Sequence, residues 1–372
     1  MKTALIIGGG FAGCAMAHQF QLAGGWDVTL IEAGSQLGAG VRTQWLGGHP
    51  YTFGPRHFLT QNEKVWQFID KYVPLRRCNE HEFLTYVEQD AAFYTYPIHE
   101  DDIPRMPNKD EINRDLLELG EYNLPPATDF EEYWCQKIGK TLYDKFINQY
   151  SKKMWMLDSN TALDTFKWSP KGTTLKSGPR AGWDTALSGY PQARNGYDDY
   201  FKIASEGAEV KFNTIANHYR IDRKRVYVNG VGAGYDVIVN TISPDIIFTY
   251  EFGHLPFIGR DLTTLILPVE FALPKDVYFC YYAGREPFTR VTEYKKFTQH
   301  HDPSSTLITL EYPSKNGRLY PLPIKSEQAR AKKYFDLMPD GVFSIGRAGS
   351  YDYAIDIDDC IAQAMDVMEK LR

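Results

Sequence analysis

Ala4-Leu5-Ile6-Ile7-Gly8-Gly9-Gly10-Phe11-Ala12-Gly13-Cys14 stands almost at the start of the chain, an apolar run leading through three spaced glycines into a helical pattern. Ala4 to Ile7 reads as a buried strand, and small and apolar residues recur at helical spacing from Phe11 to Leu22. Between them Gly8, Gly10 and Gly13 fill the glycine places of a dinucleotide fingerprint. Gly8 permits the tight turn, Gly10 lets the backbone approach a pyrophosphate, and Gly13 lets helix and strand come close. Gly10, Phe11, Ala12 and Gly13 then present a helix N-terminus whose free N–H groups attract phosphate charge. The expected sequel is present: Val28 to Ile31 reads as a second strand, and Glu32 lies at its end, where an acid holds the adenosine ribose hydroxyls.

Working outward, 372 residues exceed one simple core, so two or three domains are expected. The net charge of −6 argues against a nucleic-acid binder, whose footprint is a basic excess. The five cysteines (Cys14, Cys78, Cys135, Cys280, Cys360) show neither a C-x-x-C pair nor a histidine at metal-ligand spacing. They read as free thiols in a reducing compartment, with no metal site. No apolar run reaches the ~18 residues that span a bilayer, and the first strand begins too early to leave room for a signal peptide. A cytoplasmic enzyme without membrane or nucleic-acid partners is the expectation.

Farther along, Gly38-Ala39-Gly40-Val41-Arg42 forms a second Gly-rich turn, and helical periodicity covers about 62–72. Short strands are predicted around 82–96, and a loop at Asn123-Leu124-Pro125-Pro126. A helical block runs from a cap-like Asp129 to Met156. Gly, Pro and Ser make loops the expectation for 157–200. Strands follow at 209–212, 225–228 and 235–241, then near 263–272, 277–282, 288–294 and 305–311, the last four suggesting an antiparallel sheet. Gly341 to Arg347 reads as a strand and turn, and Asp356 to Leu371 as an amphipathic closing helix. A strand, a Gly turn and a helix returning at the far end suit a flavin domain assembled from both ends. The helix N-terminus would then face the flavin pyrimidine edge. The expected fold class is α/β: a Rossmann-type FAD-binding domain (1–75, 195–260 and 330–372), an inserted helical substrate domain (98–180), and an antiparallel sheet and mobile-loop region (76–97, 181–194 and 261–329).

Several scattered segments keep a common order. These are Phe53-Gly54-Pro55-Arg56-His57-Phe58-Leu59-Thr60, Tyr150-Ser151-Lys152-Lys153-Met154-Trp155, the run Pro179-Arg180 to Tyr190, Pro287-Phe288-Thr289-Arg290-Val291-Thr292-Glu293, Glu311-Tyr312-Pro313, Tyr320-Pro321, and Gly346-Arg347 with Tyr351, Tyr353 and Asp356. Together with the fingerprint they resemble the UDP-galactopyranose mutase family over most of the chain. The resemblance implies that Arg290 and Arg180 clamp the substrate diphosphate and that Tyr190, Tyr320 and Tyr353 add hydroxyl donors. It also implies that Phe146, Tyr150 and Trp155 line the nucleotide site. Arg56 and Arg347 join the catalytic set. Gly8, Gly10, Phe11, Ala12, Gly13, Glu32, Gly40, Arg42, His57, Arg347 and Asp356 would hold FAD.

Guanidinium forks suit two phosphate charges whatever the family. The implied activity exchanges pyranose and furanose forms of a nucleotide-diphosphate sugar with no net redox. It needs flavin kept reduced by a donor such as NADPH, with flavin N5 as nucleophile at the anomeric carbon. Family members of this size are commonly dimers, so a homodimer is expected. Arg56 and Leu59 stand where the family has histidines, which leaves the sugar open among UDP-galactose, UDP-N-acetylgalactosamine and a dTDP-linked deoxy sugar. The competing readings are a flavin-dependent amine oxidase or desaturase, which calls for an apolar substrate tunnel, and a non-enzymatic binder on the same fold.

Overall fold

The computed structural model describes residues 1–121, 124–164, 175–184 and 186–372. Asn123 of the predicted 123–126 loop, and 165–174 and Thr185 of the predicted loop region, lie outside the described residues. The fingerprint strand, Lys2–Ile7, is central in a five-stranded parallel sheet. The order is Ala208–Lys211, Trp26–Ile31, Lys2–Ile7, Val237–Asn240, Val342–Ser344. Its alternation feeds both faces. Ala4 and Ile6 join the core beneath the helix Phe11–Ala23, whereas Leu5 and Ile7 pack with Ile221 and Val226 on the other side. The second face is covered by an antiparallel meander of His218–Arg220, Arg225–Val228 and Val231–Gly234. On the first face Phe11–Ala23 packs against the closing helix Ile357–Leu371, so the two chain ends meet. Asp356 starts that closing helix in a capping box with Asp359.

The larger sheet has seven strands, ordered Tyr320–Pro321, Phe257–Leu267, Thr306–Ser314, Arg290–Glu293, Val277–Tyr282, Glu82–Val87, Ala92–Tyr96. It is not wholly antiparallel as expected: Val277–Tyr282 runs parallel to Glu82–Val87. Those two strands come from distant parts of the chain, so no hairpin dictates their sense. The strand Phe257–Leu267 also straddles the expected boundary at 260. The predicted loop region holds regular structure too. Leu187–Pro191 pairs with Phe58–Thr60 and Leu75–Arg77, and a helix begins at Asp198.

The helical block starts where Asp129 accepts a hydrogen bond from the Glu132 N–H at 2.9 Å. It is not continuous. Gly139 sits at φ 79°, where a side chain would press on Asp115, and the Asp115 carboxylate accepts from Thr141 N–H at 2.8 Å. A π-helical stretch, Asp144–Asn148, then leads into Gln149–Trp155. That wide turn sets the phase with which Tyr150 and Met154 reach the cavity described next.

Candidate active site

The fingerprint folds as its spacing demands. Gly8 takes φ 100°, and a Cβ on Gly13 would lie 1.9 Å from the Gly8 carbonyl oxygen, so only glycine lets the helix sit on the turn. A Cβ on Gly10 would meet nothing nearer than Ala39, 3.7 Å away. Among the described residues no side chain caps the helix Phe11–Ala23, and its first turn holds no acid. The backbone donors there are open to an anion. Glu32 is fixed by two backbone N–H groups, Gly9 at 2.7 Å and Gly34 at 2.6 Å, one on each carboxylate oxygen. Each oxygen keeps a lone pair for a ribose hydroxyl. An open helix start, room at Gly10 and an anchored acid fit a dinucleotide.

The second turn closes against this cradle, with Gly38 N–H donating to Gly9 O at 2.8 Å. Gly38, at φ 94°, is pressed by the Phe201 ring, whereas Gly40 faces the Arg56 guanidinium. Arg42 stands beside the carboxylate of Asp198, away from the cavity. Arg56 donates from Nη2 to Phe53 O at 2.6 Å and from Nε to Gly40 O at 3.3 Å, fastening the Gly-Pro-Arg segment to the turn. At the other chain end Gly346 touches Ala12 so closely that a Cβ would come within 2.6 Å of it.

Between the two sheets lies a cavity with four guanidinium groups in its walls, those of Arg56, Arg260, Arg290 and Arg347. Two carboxylates, Glu311 and Asp356, face them, which leaves two positive charges. Arg290 forms a fork with Glu311, Nε to Oε1 and Nη2 to Oε2, both 2.8 Å. Burial alone would favour its neutral form, but Glu311 outweighs that and keeps the guanidinium charged. Arg347 donates from Nε to Ile355 O at 2.8 Å and from Nη2 to Asp356. Arg260 and Arg347 lie over the Tyr320 ring, 4.8 and 5.2 Å from its centroid. Burial works against the Tyr320 phenolate, yet Arg56, Arg260, Arg290 and Arg347 together overcome it and lower the pKa from the usual 10.0. Tyr353 and Tyr150 shift upward, burial being the main cause.

Of the residues that the resemblance places at the substrate, the cavity gathers Arg56, Tyr150, Arg290, Tyr320, Arg347 and Tyr353, together with His57 and Asp356 from the flavin set. Four others lie elsewhere. Arg180 pairs with Asp102 at 2.9 Å and bonds Thr95, because that buried carboxylate is the nearer partner. Tyr190 is no loop residue; it is buried in the strand Leu187–Pro191 against Phe297, ring centres 5.2 Å apart. Phe146 packs near Tyr94 in the core, and Trp155 stands edge-on behind Tyr353 at 4.9 Å. Sequence reasoning missed Arg260, Tyr281, Phe279 and Trp183, all in the cavity wall. Arg260 carried one usable signal, a guanidinium two residues after Ile258 on the same face of a strand.

With this geometry in view, the comparisons with known proteins are specific. The UDP-galactopyranose mutase family model matches residues 145–353, more than half of the chain. An NAD(P)-binding Rossmann-like domain model matches residues 6–72. A probable UDP-galactopyranose mutase of Klebsiella pneumoniae is 25% identical over 390 residues, covering 98% of this chain and 93% of that protein. The dTDP-fucopyranose mutase of Escherichia coli is 24% identical over 390 residues, covering 98% and 97%. The crystal structure of a reduced UDP-galactopyranose mutase has the same fold, with a TM-score of 0.83 at 16% identity over 100% of this chain and 94% of that one. The chain belongs to the UDP-galactopyranose mutase family.

Proposed function

We propose that this protein interconverts the pyranose and furanose forms of a nucleotide-diphosphate sugar on FAD. The observation that carries the reading is the cavity's charge: four guanidinium groups against two carboxylates, beside an open dinucleotide cradle. A diphosphate brings two negative charges and planar sets of acceptor oxygens, which forked guanidiniums match in charge and geometry. An amine oxidase or desaturase would call for an apolar tunnel instead.

Gly8, Gly10, Phe11, Ala12, Gly13 and Glu32 would hold the adenosine diphosphate half of FAD, and Gly40 with Arg42 the second turn. Asp356, Arg347 and the start of Ile357–Leu371 would lie at the isoalloxazine end. When bound and reduced, the flavin supplies an electron pair at N5 for the anomeric carbon, so no side-chain nucleophile is required. The chain's own residues have three tasks. Arg290 and Arg260, with Tyr320 and Tyr353, keep the departing nucleoside diphosphate within reach of the sugar. Tyr150 takes the nucleobase side, and the aromatic wall of Phe279, Tyr281 and Trp183 excludes water from the open sugar. Arg290, held by Glu311, keeps its orientation without cost at the moment of reaction.

Arg56 stands where the family has a histidine, and two of its three nitrogens are engaged by backbone carbonyls. The choice among UDP-galactose, UDP-N-acetylgalactosamine and dTDP-fucose therefore rests on incubation with each. Purified protein should be yellow, and after dithionite or NADPH reduction it should convert at least one of these sugars to a new isomer without consuming reductant stoichiometrically. Reductant or oxygen consumption in step with substrate would establish an oxidase. Colourless protein that takes up no added FAD would establish a binder.

A further inference from the structure

The seven-stranded sheet ends on one side in an edge that is only partly closed. Over residues 259–267 the strand Phe257–Leu267 pairs inward with Thr306–Ser314. On its outer side Tyr320 and Pro321 cover only Ile258 and Phe257. In an antiparallel ladder the N–H and C=O of one residue point to the same neighbour, and successive residues alternate. Two bonds fix that alternation here. Leu322 N–H donates to the Pro256 C=O at 3.2 Å on the outer side. Glu311, which lies opposite Leu262, gives its C=O to Thr289 N–H at 2.8 Å and so turns away from Leu262. Leu262, Thr264 and Ile266 therefore point outward, and among the described residues no backbone group takes them up.

Protein sheet edges are ordinarily guarded by charge, proline, a bulge or short length. Over residues 262–267 this edge reads Leu-Thr-Thr-Leu-Ile-Leu, with no charge, no proline before Pro268 and no break in register. Beside it Trp45, Leu46, Leu265, Ile266, Val269 and Phe271 are 41–50% exposed. The hairpin of Gln44–Leu46 and His49–Tyr51 brings the first two close, since a Cβ on Gly47 would come within 2.4 Å of Ile266 Cδ1. An apolar patch of this kind calls for a cover. The strand's own register supplies one. Laid antiparallel on a second copy about a two-fold axis at Thr264, it sets Leu262 opposite Ile266 and Thr264 opposite Thr264. Every outward N–H and C=O of the three residues is then satisfied. The facing side chains are apolar or hydroxyl pairs of the kind that stabilise sheets. Asp261, the one nearby charge, faces Leu267, so no like charges meet. A charged peptide would find no counter-charge on residues 262–267.

We infer that this outer edge is the contact face of a homodimer, in which two copies join their seven-stranded sheets by antiparallel pairing centred on Thr264. The axis is isologous, so the pairing closes on itself and leaves no further edge to extend. The inference stands on the edge itself and is independent of the mutase reading.

The test follows the full-length protein by sedimentation velocity from about 1 to 50 µM, as wild type and as Thr264→Pro. Proline suits an edge position whose N–H is unused within the chain, but it removes a donor that the pairing needs. Wild type should sediment as a dimer. Thr264→Pro should weaken association by about 30-fold or more, with melting temperature close to wild type. Two cysteine variants read the register directly under mild oxidation. In Thr264→Cys the two thiols face each other across a Cα spacing of about 5.5 Å, within disulfide reach, and a covalent dimer should form. In Leu262→Cys they stand about 14 Å apart, and none should form. A wild type that stays monomeric to the highest concentration overturns the inference, as does a dimer that survives Thr264→Pro. It is equally overturned if Thr264→Cys fails to cross-link or if Leu262→Cys cross-links as well. Should Thr264→Pro melt early, the wild-type sedimentation and the two cysteine variants decide the matter. None of these readouts uses turnover, so failure of the mutase reading would leave them standing.

Discussion

The nucleotide cradle and the guanidinium cavity adjoin each other, but they are built in opposite ways. The cradle comes from one stretch, Lys2 to Glu32, in which the closest contact, Gly13 against the Gly8 carbonyl, is made five residues away. The cavity draws on residues from Pro55 to Ile357, carried in by several strands, helices and turns far apart in the chain. In the first region backbone shape does the work, and one added methyl group is decisive. In the second, side-chain charge does the work and the backbone is only a frame. A site of the first kind is therefore fragile in folding, and one of the second kind is fragile in chemistry.

Substitutions can break that contrast. The largest effect is expected from Gly13→Val, whose Cβ would lie 1.9 Å from the Gly8 carbonyl oxygen. Helix and strand would have to separate, and the variant should be recovered without flavin and melt far below wild type, as absorbance and thermal unfolding would report. Arg290→Ala should abolish turnover while keeping FAD, because Arg290 belongs to the cavity and not to the cradle. It also leaves Glu311 buried and unpaired, at a cost of about 3–5 kcal/mol in denaturant unfolding. Adding Glu311→Gln should restore much of that stability and none of the activity; restored turnover would show the fork to be structural only.

Glu32→Ala should do the reverse of Arg290→Ala. It strips partners from Gly9 and Gly34 N–H and from the ribose, weakening FAD binding by about 1–2 kcal/mol, roughly tenfold, in a flavin-release titration. Turnover at saturating FAD should be close to wild type. The smallest effect belongs to His18 on the fingerprint helix, enclosed by Phe68, Tyr72 and Tyr200. Burial, helped by Lys71, lowers its pKa from 6.5 to about 4. The neutral ring thus stabilises the fold fully above pH 6.5, and that contribution is lost as pH falls towards 4. Melting temperature should drop by a few degrees across this window in wild type and less in His18→Gln, with the cavity's chemistry untouched.

The same contrast explains what could be read from the sequence. Fingerprint, second strand and Glu32 were legible because their constraints are local, and the Asp129 start of the helical block was legible through its cap. The break at Gly139 was not, since it answers to Asp115 in another helix. Arg290 and Tyr320 reach the cavity as their segments suggested. Arg180 does not, because its partner Asp102 lies 78 residues away in sequence. Tyr190 was misplaced for a related reason: a strand of five residues amid Gly and Pro shows little alternation, and pairing with Phe58–Thr60 and Leu75–Arg77 decides it. Arg260 went unseen because its importance lies in the Tyr320 ring beside it, not in its neighbours along the chain.

Calorimetric binding of UDP and of uridine to the oxidised holoprotein, at low and high salt, bears most directly on the claim that the cavity grips a diphosphate. UDP should bind at least about 100-fold more tightly than uridine, with the advantage shrinking as salt rises and largely absent in Arg290→Ala. Equal affinities for the two, or a preference for UDP that survives in Arg290→Ala, would contradict it.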